Sequence, residues 1–513
     1  MLFTSYEFLL LFFPATVATY FLMGRGALAR AAILVVASIA FYASWNWHFL
    51  VLLLGSIGVN YAIGVTLQRA MLAGRLRRAN LLTAFGIVLD LGILVVFKYA
   101  HFTIDNLNAL AGMDMVIARI ILPLGISFFT FEQIGFLIDL RRGAPYRLDL
   151  LSYAVFVSFF PRLVAGPILR YNEIVPQLER ELGSMSSRAE DLAFGLSMFA
   201  IGLAKKAFLA DGIAPYVGPS FDAAASGQPL DFFAAWSGAL AYTCQLYFDF
   251  SGYSDMAIGA ARCFGIRFPE NFNSPYKSVS IIEFWRRWHM TLSRFLRDYL
   301  YISLGGNRHG PARRYVNLLL TMLLGGFWHG ANWTFLVWGA LHGFYLIVNH
   351  AWAAATGRVR ALTAFHAAFL GRAFGFVLTF LAVVIAWVFF RAPNFGAGFA
   401  MLGAMAGRDG AELPAAFIWQ LHSLAPLLTG LGIRSGGSGT LFTGTWLWIG
   451  ALLAIAFLAP NTQQIVARAH PALRHPPSHH RFASPAWAMA AGLVAFLGFL
   501  SVTRASAFLY WQF

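Results

Sequence analysis

The sequence predicts an all-α, polytopic membrane protein, and three observations carry that expectation. Only 12% of the 513 residues are charged and 59% are hydrophobic, whereas a soluble domain carries roughly 25% charge. Mean hydropathy is +0.66. Apolar runs also recur from one end of the chain to the other, and about 20 such residues suffice to cross a hydrocarbon core. The clearest candidate spans are residues 8–22, 31–54, 81–97, 151–169, 192–209, 233–248, 315–327, 333–348, 374–390, 446–458 and 486–500. Other runs are short or interrupted by Gly and Pro, so about eleven or more embedded helices are expected, some of them re-entrant.

The first span, MLFTSYEFLLLFFPATVATYFLM, lacks a basic start and carries Glu7 ahead of its apolar stretch. It reads as a transmembrane helix and not as a cleavable signal. Arg25 and Arg30 follow it, and the positive-inside rule then puts the N-terminus outside and this loop in the cytoplasm. The next basic loop, QRAMLAGRLRRAN (68–80), falls on the cytoplasmic side again, which requires two further crossings. Beyond Arg142 the charge pattern gives no single answer. The net charge of +15 is spread over short loops and forms no basic, aromatic-studded domain. Anionic lipid headgroups are therefore the expected partner, and nucleic acid is not.

Cys244 and Cys263 lie in apolar surroundings without a CxxC spacing and read as packing residues. No internal repeat is visible. GRDGAEL and LGIRSGGSGTLFTGT read as loops. RAHPALRHPPSHHRFASP (468–485) holds His470, His475, His479 and His480, but its prolines spoil any fixed ligand geometry. It reads as a solvated connector, and no metal site is expected.

Residues 247–343 are the informative part. In YFDFSGYSDMAIGAARCFGIRFPENFNSPY, Asp249 and Asp255 sit beside an apolar helix. A carboxylate at membrane depth costs about 2.5–3.5 kcal/mol on insertion scales. Either the two cap or bridge helices near a membrane face, or they support a polar cavity from behind. In IIEFWRRWHMTLSRFLRDYLYISLGGNRHG, Ile282, Trp285, His289, Leu292, Leu296 and Tyr299 recur at spacings of three and four, one stripe of a helix. The arginines fall on the opposite face. An amphipathic helix over 281–301 at a membrane surface is expected, with His289 anomalous on the apolar stripe. In GGFWHGANWTFLVWGALHG (325–343), His329 follows Gly325, Gly326, Phe327 and Trp328 and precedes Gly330. Glycines around an imidazole permit close backbone approach or a helix break. If the helix continued, Asn332 would share a face with His329 and could fix its tautomer or bind a substrate carbonyl. Trp328 and Asn332 are thus candidate supports. His342, thirteen residues on, need not face the same site and reads as structural.

Metal chemistry would need clustered ligands such as HxxxH, and none occurs between His289 and His342. Serine nucleophiles favour a GxSxG elbow, also absent. General-base catalysis remains: an imidazole with an intrinsic pKa of about 6.5 can take the proton of an attacking hydroxyl, for about 10²–10⁴-fold. A transporter or flippase moving an acylated carrier, or a scaffold in an exopolysaccharide secretion complex, would need no such base.

The motifs MLFTSYEFLLLFFP, FYASWNW, LPLGISFFTFEQIGFLIDL, FFPRLVAGPILRYNE, GLAKKAFLAD, YFDFSGYSDMAIG, EFWRRWHMTLSRFLRDYLYISLGGNR, GGFWHGANWTFLVWGALHG and the closing FLYWQF occur in one order along nearly the whole chain. In this series the sequence resembles the membrane-bound O-acyltransferase (MBOAT) family, in the branch of alginate O-acetylation and teichoic acid D-alanyl transfer. The resemblance implies a ring of tilted helices around a central funnel, formed by one integral membrane domain over 1–513, with a catalytic core at about 120–350 and C-terminal helices at about 366–513. It makes His329 the principal catalytic histidine and His289 a second histidine of the same tunnel, which would orient or polarise the donor. It implies no tightly bound cofactor. The donor would be a cytoplasmic acyl thioester, acetyl-CoA or an acyl-carrier protein, and the acceptor an extracytoplasmic polysaccharide reached through a periplasmic partner protein, at a bacterial inner membrane. Glu132 and Arg162 depart from the pattern, which leads one to expect glutamine at both, and the added charge at 162 is expected to alter donor or partner contacts.

Overall fold

The computed structural model describes residues 1–180, 185–357, 366, 368–421, 423–466, 485–502 and 509. Among these, five helices are long and apolar enough to cross a membrane: His48–Leu72, Leu76–Ala111, Ser187–Ala225, Phe369–Arg391 and Gly439–Leu458. Shorter apolar helices include Glu7–Met23, Ala27–Ala43, Phe395–Met405 and Trp487–Leu500. The chain is an all-α, multi-pass membrane protein. One pairing of three-residue strands, Ala411–Leu413 parallel to Ile433–Ser435, falls within the two stretches expected to be loops. The histidine-rich connector up to Ser484 and all of the closing motif except Leu509 lie outside the described residues.

Two of the expected spans are broken. The run 31–54 is two helices, Ala27–Ala43 and His48–Leu72. The break falls at Ser44–Trp45–Asn46–Trp47. There the Ser44 hydroxyl donates to the Phe41 carbonyl at 2.7 Å and Asn46 Oδ1 accepts the His48 amide at 3.0 Å. Short polar side chains thus capture backbone groups that a helix would have used. The run 151–169 is the short helices Leu150–Ser158 and Phe160–Leu163 followed by irregular chain. That chain is buried through Leu169, and non-helical backbone at membrane depth survives only where protein covers it.

Helix Met185–Ala204 packs along Phe232–Cys263, and Gly310–His329 along Trp333–Thr356. The second pair is close because of glycine. A Cβ on Gly326 would collide with the Phe335 carbonyl, and one on Gly339 with the Met322 carbonyl. Small residues of this kind let membrane helices approach to backbone contact, and here they press together the two helices that flank His329.

Candidate active site

His329 is the last residue of helix Gly310–His329, and Gly330 leaves it in an extended conformation. The ring of Phe335 fills the space that a side chain at 330 would need. The terminal carbonyls of a helix lack intrahelical partners, and here a neighbouring element supplies them. Lys98 Nζ donates to the carbonyls of Trp328 at 2.7 Å and His329 at 2.9 Å, and Tyr99 Oη donates to that of Phe327 at 2.8 Å. Lys98 and Tyr99 belong to a π-helical turn, Val95–Tyr99, within a long apolar helix. Such bulges recur at functional sites. An ammonium at a helix C-terminus also meets the negative end of its dipole.

The His329 ring is only 4% exposed, with the rings of Trp328, Trp338 and Phe390 around it at 5.0, 5.1 and 5.3 Å. It nevertheless has an opening. It lines a cleft of about 670 Å³ together with Trp45, Lys98, Arg119, Ser127 and the chain from Ile120 to Gly125. A second cleft of about 430 Å³ shares Lys98, Ile120 and Leu122 with the first and adds His101, Asn332 and Arg391. The charged side chains lining the two clefts are all basic.

On the other side of His329 lie aromatic rings. Trp328 stacks on Phe131 at 4.9 Å, Phe131 on Phe295 at 4.6 Å, and Phe295 meets Tyr299 at 4.7 Å. Beyond the stack is a recess of about 10 Å³ lined by Glu132, Arg170, Thr291, Arg294 and Tyr299, room for about one water. Its rim is the most ionic part of the region, with Arg294 paired to Glu173 at 2.6 Å and Arg170 and Arg297 both paired to Asp298.

His289 is fully buried, with its ring edge-on to Phe250 at 4.7 Å. The continuous amphipathic helix expected over 281–301 is not what places it. Helix Ile281–Arg287 stops, His289 adopts a left-handed φ of 40°, and the chain resumes as Met290–Phe295 and a π-turn Leu296–Tyr301. The kink turns the histidine inward, where Nδ1 meets Asn271 Oδ1 at 3.0 Å. His342 accepts from the indole of Trp285 at 3.3 Å and packs on Trp338.

Asn332 does not share a helical face with His329, because the helix ends between them. Its carbonyl oxygen caps the next helix by accepting the Thr334 amide at 3.0 Å, and its amide donates to the Pro393 carbonyl at 2.9 Å. Asp255 is bound into a separate ionic group, with Lys205 at 2.7 Å and Thr462 at 2.6 Å. Asp249 likewise pairs with Lys206 at 2.6 Å. These carboxylates join helices through their ion pairs. Arg162 and Glu132 form an ion pair with each other, 2% and 3% exposed. The charge at 162 is therefore met inside the protein by the second departure. The cysteines are free and buried.

Two residues of this arrangement escaped the sequence reading. Lys98 stands alone in LGILVVFKYAHF, and an isolated charge in an apolar span is itself a functional signal. Asn271 carried no such mark.

The MBOAT, membrane-bound O-acyltransferase, family model matches residues 117–390, which hold His289, His329 and the aromatic stack and most of the cleft lining, but not Trp45, Lys98, His101 or Arg391. The chain is 46% identical to the probable alginate O-acetylase AlgI of Pseudomonas aeruginosa over 410 residues, 79% of this chain and 75% of that protein. It is 40% identical to the peptidoglycan O-acetyltransferase of Helicobacter pylori over 441 residues, 80% of this chain and 81% of that protein. A teichoic acid D-alanyltransferase of Streptococcus thermophilus is 32% identical over 242 residues, 45% of this chain and 57% of that protein.

Proposed function

The chain belongs to the membrane-bound O-acyltransferase family, and from that premise we propose that it moves an acetyl group from a cytoplasmic thioester to a hydroxyl outside the membrane, with His329 as general base. The observation that carries the proposal is the position of His329: a nearly buried imidazole on the floor of an open, basic cleft, at a helix end that two side chains of another helix hold in place.

In this reading the arginine-rich rim faces the cytoplasm and the clefts around Trp45 and residues 119–128 face the periplasm, on the same side as the N-terminus, which agrees with the basic loops at 25–30 and 68–80 lying inside. The thioester, on coenzyme A or a carrier protein, meets the rim first. The acceptor hydroxyl enters by the cleft and loses its proton to His329 as its oxygen bonds to the acyl carbon. The carbon–sulfur bond breaks and the thiolate returns to the cytoplasm. Alignment of the two reactants across a thin barrier supplies much of the rate, and the base supplies about 10²–10⁴-fold. The names of the relatives point to an envelope polysaccharide as acceptor, reached directly or through a periplasmic partner protein.

The test is vesicle reconstitution with acetyl-CoA on the side of the arginine rim and polysaccharide on the other. Wild type should release free thiol and acetylate the polymer. His329→Gln, inserted to the same level, should lose both by about 10²–10⁴-fold. Undiminished acetylation by that variant would overturn the base assignment, and export without thiol release would mark a transporter.

A further inference from the structure

Resting on that reading, we propose that Asn271 is a positioning residue that locks His289 as its Nδ1–H tautomer and leaves its buried Nε2 a bare lone pair. The orientation of the Asn271 amide follows from its neighbours. Its oxygen faces three groups: the Thr291 backbone amide at 3.4 Å, the Thr291 hydroxyl at 2.8 Å and His289 Nδ1 at 3.0 Å. A backbone N–H can only donate. The Thr291 hydroxyl already accepts the Ile168 amide at 2.9 Å, which leaves its own proton to give. On the far side the amide nitrogen donates to Ser254 Oγ at 3.0 Å. A flipped amide would set N–H against N–H at Thr291 and lose that donor contact at Ser254.

With an acceptor opposite it, His289 Nδ1 must carry the hydrogen, and a neutral imidazole carries only one. Nε2 is buried and makes no hydrogen bond among the described residues. An imidazolium would bury an unmatched N–H there, which is costly. Asn271 also holds the backbone that aims the ring, since its carbonyl accepts the Met290 amide at 2.9 Å directly after the left-handed residue. A non-glycine residue in that conformation stores strain that its surroundings must hold.

The consequence alters the role expected of His289. In its resting form it cannot polarise a thioester carbonyl, because it has no proton to offer at Nε2. It is an acceptor, suited to the proton of a hydroxyl or thiol.

The experiment is solid-state NMR of the full-length protein in lipid with ¹⁵N-labelled histidine, with His289 assigned by loss of its signals in His289→Gln. Wild type should show a protonated Nδ1 and a bare Nε2. Asn271→Asp, which keeps an acceptor, should retain this pattern and most of the activity. Asn271→Leu should lose the pattern and about 10–100-fold in kcat, with KM for acetyl-CoA little changed. A protonated Nε2 in wild type, or an unchanged tautomer in Asn271→Leu, would overturn the assignment. The wild-type spectrum decides even where the Leu variant does not fold. If the expected spectrum accompanies a protein that releases no thiol from acetyl-CoA, the tautomer stands and the proposed function falls.

Discussion

Arg162 and Glu132 bury opposite charges against one another, and the Arg162 guanidinium also lies 5.3 Å over the Phe156 ring. Removing one member leaves an uncompensated charge, which costs about 3–5 kcal/mol, whereas neutralising both can be nearly neutral. Glu132→Gln and Arg162→Gln should therefore each lower the unfolding midpoint strongly, and the double variant should recover most of the loss. A double-mutant cycle on purified protein reads the coupling directly. Lys98 is a different case, since its ammonium faces carbonyls and not a carboxylate. Lys98→Met should leave folding largely intact and lower kcat by about 10²-fold through displacement of His329, and Lys98→Arg should recover part of it. Single-turnover acetyl transfer measures both. At this scale the sequence was partly legible. His329 was visible through its flanking glycines, whereas Lys98 was passed over although its isolation in an apolar span marks it. Their contact was not visible, because it joins residues 231 apart, and no local pattern encodes such a distance.

Among the elements, the Gly310–His329 and Trp333–Thr356 pair is the one most exposed to a single change. Gly326→Leu would drive a side chain into the Phe335 carbonyl, and overpacking of this kind costs about 1–3 kcal/mol. Less folded protein in the membrane and a lower unfolding midpoint are expected. Gly444→Leu, where nothing lies within 4 Å of the added carbon, serves as the matched control. Helix existence was readable from apolar runs, but continuity was not. The break at Trp288–His289 has neither Gly nor Pro to announce it, and a regular stripe of apolar residues runs through it. What bends the chain is Asn271, eighteen residues earlier, which takes the hydrogen bonds offered at the kink. Likewise the run 31–54 hides its turn because the aromatic Trp45 and Trp47 carry the apolar run across it while Ser44 and Asn46 end the helix.

For the whole molecule, the arrangement is two recesses of unequal size facing one partition. The larger reaches His329, and the smaller ends at Thr291 and Tyr299. Phe131 is the middle ring of the stack that separates them. Phe131→Ala should open that barrier: acetyl-CoA hydrolysis without acceptor should rise and transfer to polymer should fall, at a stability cost of about 3–5 kcal/mol. Thiol release with and without polysaccharide distinguishes the two effects. The all-α membrane class was legible from composition and the length of the apolar runs, whereas the partition was not, because its rings come from three separate elements. A wall only a few side chains thick also has an electrical meaning. Voltage drops where insulation is thinnest, and one elementary charge falling through 100 mV is worth about 2.3 kcal/mol. Any net charge displaced through those rings during turnover would therefore do work against the cell's own battery, and collapsing the potential with an ionophore would change the rate without touching a single residue.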